Sequence, residues 1–210
     1  MGIMDKVVKQ ARMPTGISGK FCARLMNIGH SNVTRWGLSH ISINKNGTIL
    51  DIGCGGGKTV NTLAKMATEG KVYGIDYSQV SVAASTSKNK RLIEKGQVKI
   101  LHASVDSMPF SDDMFDLVTA VESCYFWPDL VNNLREIRRV LKTGGSVILV
   151  NAMYRDERFE KRNSHLARVG DFAYYSPDEF RGFLTDAGYS PVRIELLENK
   201  NWIAAIGTNT

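Results

Sequence analysis

Apolar residues recur in short runs separated by glycine and polar segments, a pattern that predicts alternating strands and helices. Thr48-Ile49-Leu50-Asp51-Ile52 enters a glycine cluster, Gly53-Cys54-Gly55-Gly56-Gly57. A helix-compatible segment follows, from about 57 to 68, and ends near Gly70. Lys71-Val72-Tyr73-Gly74-Ile75-Asp76 reads as a second strand that ends in an acid. A second helix is expected from about 78 to 95, with Ser78 as N-cap and Gly96 as its stop. Residues 98–103 read as a third strand. Further on, Ser176-Pro177-Asp178-Glu179 is a strong helix start, with Ser176 as cap and Pro177 at the first position. That helix should end near Gly188. Residues 192–196 and 202–206 predict two strands, and the short polar link Glu198-Asn199-Lys200 predicts an antiparallel pair.

Two regions depart from this alternation. Residues 1–46 precede the first strand; their Gly, Ser and Asn content at 15–19 and 27–36 suggests short helices with turns, an N-terminal helical lid segment. Residues 153–175 are charged, then aromatic, and read as a partly helical insertion over the carboxyl ends of the strands. The remainder, 47–210, reads as one α/β core.

Composition narrows the class. A chain of 210 residues suits one α/β domain and can bury a full core. The start, Met1-Gly2-Ile3-Met4-Asp5-Lys6, lacks the apolar stretch of a secretory signal and the Ser or Thr of a myristoylation signal. No apolar run is long enough for a membrane span. The 3 cysteines, Cys22, Cys54 and Cys124, are odd in number and widely spaced, which argues against a disulfide framework or a zinc site. A cytoplasmic location is the expectation. The net charge of +6 permits an anionic partner without requiring one. The densest basic cluster, Arg135-Glu136-Ile137-Arg138-Arg139, has the spacing of a solvated helix face.

Strand, glycine loop, helix, strand and acid are the layout of a site for an adenosine-containing cofactor. Spacing decides between cofactors. In a dinucleotide fingerprint counted from Gly53, the third glycine falls on Lys58. A P-loop ending in Gly57-Lys58-Thr59 would need its first glycine at Ile52. Both phosphate readings therefore fail by one residue.

What remains, Leu50-Asp51-Ile52-Gly53-Cys54-Gly55-Gly56-Gly57, resembles the first motif of the Rossmann-like, class I S-adenosylmethionine-dependent methyltransferases, of the small-molecule type grouped as methyltransferase-11. The resemblance continues through 104–112, similar to the family's adenine-side motif ending in Leu-Pro-Phe. It extends through 115–122, similar to its fourth strand, and 134–145, similar to the helix and turn before a fifth strand at 146–150. It implies a three-layer sandwich around a mostly parallel seven-stranded sheet with an antiparallel last strand.

The resemblance also implies a cofactor, S-adenosylmethionine, with S-adenosylhomocysteine as product and no metal. Asp76 would accept from the ribose hydroxyls, Tyr77 would lie on the adenine, and Val105 would offer a backbone N–H to the ring. Ser104 stands where the family commonly carries an acid. Gly53 and Gly55 would approach the methionine part, and the carbonyls of Gly53 and Val121 would receive its ammonium. Asp51 would orient the loop, and Cys54 would pack as a small residue. The residues after the fourth strand face the methyl group in this family. Here Glu122 is the candidate to orient or deprotonate an acceptor or to pair with the cofactor's ammonium, and Tyr125, Phe126 and Trp127 read either as an aromatic acceptor pocket or as loop packing. His30 and Trp36 are lid candidates for acceptor contact. His102 carries no chemical role in this reading.

The expected partner is a small-molecule acceptor, with no nucleic acid, no membrane span, and a monomer or homodimer. An RNA or protein methyltransferase, and a cofactor-binding protein without catalysis, stay open as alternatives.

Overall fold

The computed structural model describes residues 31–210. His30, and the expected helices and turns before it, lie outside the described residues. The elements in chain order are α1 (Ser31–Leu38), β1 (Thr48–Ile52), α2 (Lys58–Met66), β2 (Lys71–Asp76), α3 (Gln79–Glu94), β3 (Val98–His102), β4 (Phe115–Val121), α4 (Leu130–Val140), β5 (Leu141–Asn151), α5 (Glu160–Gly170), α6 (Pro177–Asp186), β6 (Tyr189–Leu197) and β7 (Trp202–Asn209). They form one seven-stranded sheet in the order β3-β2-β1-β4-β5-β7-β6. β7 runs antiparallel to both of its neighbours, and the other pairings are parallel.

Alternation along the central strands separates two cores. Leu50, Val118 and Leu149 point to one face and pack with Leu134 and Ile137 of α4 and Phe180 and Leu184 of α6. Ile49, Leu117, Ile148 and Val150 point to the other and meet Val33 of α1 and Val60 and Leu63 of α2. The result is the three-layer sandwich that the motifs imply.

Local signals act where expected. Ser176 and Glu179 form a reciprocal capping box with Pro177 in the first turn of α6. Ser78 caps α3 by accepting from Ser81 N. The hairpin strands β6 and β7 are longer than the apolar runs suggested and turn through a short 3-10 segment, Glu198–Lys200. β5 likewise begins before Gly144-Gly145, because Leu141 pairs with Phe115 across a register irregularity.

One expectation is corrected by packing. The Arg135–Arg139 cluster is not simply a solvated face. Arg139 pairs with Glu136 at 2.7 Å and Asp112 at 2.7 Å, and it donates to the Phe110 carbonyl at 2.9 Å. Glu136 in turn accepts from Met108 N. The helix therefore clamps the 108–112 loop, and the charges are spent within the molecule.

Between β5 and α6, the chain makes a 3-10 turn, Glu157–Phe159, and then α5. A buried amide cluster fastens this segment. Asn163, fully buried, donates to the Tyr154 carbonyl at 2.9 Å and to Asn201 Oδ1 at 3.0 Å, and Asn201 Nδ2 donates to the same carbonyl at 3.1 Å. Replacing Asn163 with Ala removes one of the two amide donors to the Tyr154 carbonyl and one of the donors to Asn201 Oδ1, and leaves a gap in a buried site. The expected loss is about 1–3 kcal/mol of unfolding free energy in denaturant titration, with faster amide exchange across α5. Unchanged stability and exchange would show that the cluster does not hold α5.

Candidate cofactor and acceptor site

The strand order reverses between β1 and β4, so the crevice beyond their carboxyl ends is where an open α/β sheet takes a ligand. The glycine loop leaves β1 at this point. Gly53 N and Cys54 N both donate to the Ile75 carbonyl, at 2.9 and 3.0 Å, which folds the loop back over β2. Gly57 has φ +76°, and a Cβ there would lie 2.4 Å from Ser85 Oγ and 2.8 Å from Ser85 Cα. A Cβ on Gly55 would meet only the Gly53 carbonyl oxygen, at 4.0 Å, so this stretch of backbone offers close approach to a ligand.

Asp76 ends β2 beside the loop. Its Oδ2 accepts from Gly55 N and its Oδ1 from Ser78 N, both at 2.9 Å. Each carboxylate oxygen keeps capacity for another donor. Burial raises the Asp76 pKa, while the bonds from Ser78 and Gly55 oppose that rise. Tyr77 is 43 % exposed, a large ring standing at the rim. His102, which the sequence left without a role, bonds the Tyr77 carbonyl through Nε2 at 2.8 Å and fixes the backbone under that ring.

Asp51 lies one register step below the loop, level with Gly74 on β2 and Thr119 on β4. It is 2 % exposed, and Oδ1 accepts from Thr119 Oγ1 at 2.7 Å. Burial pushes its carboxyl up to about 7; the Thr119 bond lowers it and nearby Asp76 raises it. Cys54 is buried, and its Sγ lies 3.7 Å from Ser85 Oγ. Burial pushes the Cys54 thiol well up, so it is a packed neutral group rather than a nucleophile.

Beyond β3, Ser104 is exposed and Val105 is buried in the core. Beyond β4, Glu122 takes a left-handed backbone, φ 56°, uncommon for a side chain of this size. Its N–H donates to the Val150 carbonyl at 2.9 Å. Its carboxylate accepts from Tyr125 OH at 2.7 Å and from Ala152 N. Glu122 is thus a strut between the ends of β4 and β5 as well as an acid at the crevice. The next residue, Ser123, donates to the Ile52 carbonyl at 2.9 Å, tying the β4 end to the glycine loop.

The aromatic cluster extends beyond the residues expected. Tyr125 and Phe126 form a short 3-10 turn, and Phe172, just after α5, stacks on Tyr125 with centroids 4.9 Å apart and meets Phe126 edge-on at 5.4 Å. Tyr125 is desolvated and faces Glu122, which drives its phenol pKa up and keeps it a neutral donor. Trp127 packs instead against the core on the α4 side. Tyr174 reaches outward to Glu160 at 2.8 Å, and Tyr175 packs on Phe180 and Phe183. Trp36 lies on α1 against His40 and Trp202, at centroid distances of 4.9 and 5.9 Å.

Several supporting residues escaped the sequence reading. Asn89 donates to the Gly57 carbonyl at 3.0 Å and accepts from Asn61, and Ser85 lies beneath Gly57. The available signal was a polar stripe: the buried residues of α3 are Ser81, Ser85 and Asn89, spaced one turn apart on an otherwise unremarkable helix. Among the described residues no group of His, Cys, Asp or Glu converges as metal ligands, and no helix is long and apolar enough to cross a membrane.

Comparison with known proteins sets this geometry beside methyltransferases. A methyltransferase-domain model matches residues 50–149, which include the glycine loop, Asp76, Ser104 and the aromatic turn. The demethylmenaquinone methyltransferase of Lysinibacillus sphaericus is 32% identical over 124 residues, 59% of this chain and 50% of that protein. The chain spans about half the length of the curated relatives it matches. The fold is shared with a chain of the complex between the Haloferax volcanii Trm112 methyltransferase activator and a methyltransferase, with TM-score 0.77 and 19% identity over 100% of this chain and 98% of that one. It is shared too with the geranyl diphosphate C-methyltransferase of Streptomyces coelicolor, solved with S-adenosylhomocysteine, with TM-score 0.76 and 15% identity over 94% and 86%. Residues 50–149 thus match a methyltransferase domain, and the sheet around them has the Rossmann-like fold of solved S-adenosylmethionine-dependent methyltransferases.

Proposed function

We propose that this protein binds S-adenosylmethionine across the ends of β1, β2 and β4 and transfers its methyl group to a small-molecule acceptor. The observation that carries the reading is the Ser123 hydrogen bond to the Ile52 carbonyl, 2.9 Å, which ties a glycine loop with open backbone at Gly55 to the turn that bears the aromatic cluster of Tyr125, Phe126 and Phe172. When bound, the cofactor supplies a methyl group already activated on a sulfonium.

The residues present suit that cofactor. Asp76 has acceptor capacity left for the ribose hydroxyls, and the exposed Tyr77 ring stands beside it for the adenine. Backbone at Val105 and the Ser104 hydroxyl would serve the base edge, with serine offering no charge where an acid is common. The loop at Gly53, Cys54 and Gly55 and the Val121 carbonyl would hold the methionine end. Asp51 holds the loop base and contributes negative charge there. The chain's work is then to orient the acceptor and exclude water. Tyr125, Phe126 and Phe172 form the apolar wall. Glu122, within hydrogen-bond reach of Tyr125 OH, either positions an acceptor group or takes its proton at the carboxylate. Trp36 and His30 remain lid candidates for the acceptor.

An acceptor with an apolar body is supported by that wall. It is also in keeping with relatives named for demethylmenaquinone and a fold neighbour named for geranyl diphosphate. A bulky anionic macromolecule has less support, because Arg139 spends its charge on Glu136, Asp112 and loop carbonyls.

Calorimetric titration with S-adenosylmethionine, S-adenosylhomocysteine and NAD tests the cofactor. Micromolar binding of the first two and none of NAD is expected; no binding of either would reject the reading. Asp76→Ala should weaken cofactor affinity at least tenfold, about 1.4 kcal/mol, while the folded state persists by circular dichroism. Unchanged affinity would reject the ribose role. Tyr125→Ala should lower kcat/KM for an identified acceptor by more than it weakens cofactor binding. Equal losses would mark the turn as structural only.

A further inference from the structure

The carboxyl end of β1 buries a second acid that the proposed transfer does not itself consume. Asp51 is 2 % exposed and Thr119 is fully buried, side by side on adjacent parallel strands. Groups from three neighbouring segments act on Asp51. Thr119 faces it from β4, the Asp76 carboxylate acts from the end of β2, and the Cys54 thiol lies in the glycine loop. Among these described groups the charge is another carboxylate, and none is a cation.

Thr119 has one hydroxyl proton and two acceptors: Asp51 Oδ1 at 2.7 Å and the Leu50 carbonyl at 3.4 Å. With Asp51 ionised, Thr119 donates to it across the short distance. With Asp51 protonated, the carboxyl O–H donates to Thr119 Oγ1, and the threonine proton turns to Leu50. Both protonation states are therefore satisfied by rotation of one hydroxyl, with no movement of the backbone.

We propose that Thr119 and Asp51 make cofactor binding proton-coupled: the cationic methionine end of S-adenosylmethionine docks on ionised Asp51, and the proton displaced from Asp51 passes to solvent. This rests on the cofactor reading above. Thr119 is a positioning residue; it sets the pH at which Asp51 becomes able to receive the cation.

The sign follows from the charges. Burial holds the free carboxyl near neutrality, at about 7, and a bound cation stabilises only the ionised form. Binding therefore lowers the Asp51 pKa, releases a proton, and weakens as pH falls. With the ionised fraction as the competent state, wild-type affinity relative to Asp51→Asn should drop about tenfold from pH 8 to pH 6. Losing the Thr119 donor raises the Asp51 pKa and moves the drop to higher pH.

The test is calorimetry of S-adenosylmethionine binding at pH 6, 7 and 8, in buffers of different ionisation enthalpy, on wild type, Asp51→Asn, Thr119→Val and Thr119→Ser. The cofactor's own amino group titrates in this range, so the proton count is read as wild type minus Asp51→Asn. The expected difference is roughly half a proton released at pH 7. Thr119→Val should shift the profile upward, and Thr119→Ser should restore it. A merely structural threonine would change affinity equally at every pH. In the free protein, a carbon-13 titration of the Asp51 carboxyl should turn over near neutral pH, and an inflection at an ordinary carboxylate value would overturn the coupling. Binding with equal affinity at pH 6 and 8 and no Asp51-dependent proton would also overturn it while leaving the cofactor reading intact. Absence of binding at every pH would overturn both.

Discussion

The Ile75 carbonyl accepts two amide protons, from Gly53 and Cys54, and so pins the exit of β1 onto the end of β2. That exit must reverse within a few residues, with left-handed backbone at Gly53, Gly55 and Gly57. Each neighbour is arranged around the turn. Ser85 and Asn89 press up from α3 beneath Gly57, Ser123 ties in the β4 end, and Asp76 grips the Gly55 amide. A side chain at Gly57 would strike Ser85, including its backbone, so the floor of the crevice tolerates no bulk. The turn places exposed backbone at the point where the sheet changes direction, and the proposed chemistry depends on that placement.

A second consequence is electrostatic. Closing the turn buries Asp51 and most of Asp76 at neighbouring strand ends. Asp76 is offset by two backbone donors, the Ser81 hydroxyl and nearby His102, whereas Asp51 has one hydroxyl. Burial of Asp51 with so little compensation costs stability on its own. The same arrangement favours a ligand that brings positive charge, which S-adenosylmethionine does. The aromatic side is built differently: Glu122 braces the ends of β4 and β5 and holds Tyr125, and Phe172 arrives from a segment fastened by Asn163 and Asn201.

Much of this was legible in the sequence because its signals are local. The run into Gly53, the acid at Asp76, the Ser78 cap and the Ser176 capping box each fix a few residues by short-range geometry, and the structure has them where expected. The antiparallel β7 followed from two apolar runs and a short link. What escaped depends on contacts between distant residues. Thr119 reads as an ordinary β-branched strand residue until register sets it against Asp51. Asn89 and Ser85 look like surface polars until α3 packs under the loop. Arg139 belongs to a basic cluster by spacing, yet it serves a loop 27 residues away from it, at Asp112. Phe172 sits far from Tyr125 in sequence, so no pattern along the chain joins them.

Amide chemical-shift mapping with S-adenosylhomocysteine tests the central claim most directly, that the pinned turn out of β1 is the floor of the cofactor site. The largest shifts are expected at Gly53 to Gly57, at Asp76 to Ser78 and around Val105, with the Gly55 amide, bonded to Asp76, among the strongest. At the opposite end of the sheet a cavity of about 430 Å³ is lined by His40, Asn44, Arg193 and Thr208. Shifts gathered there, with the glycine loop unmoved, would contradict it.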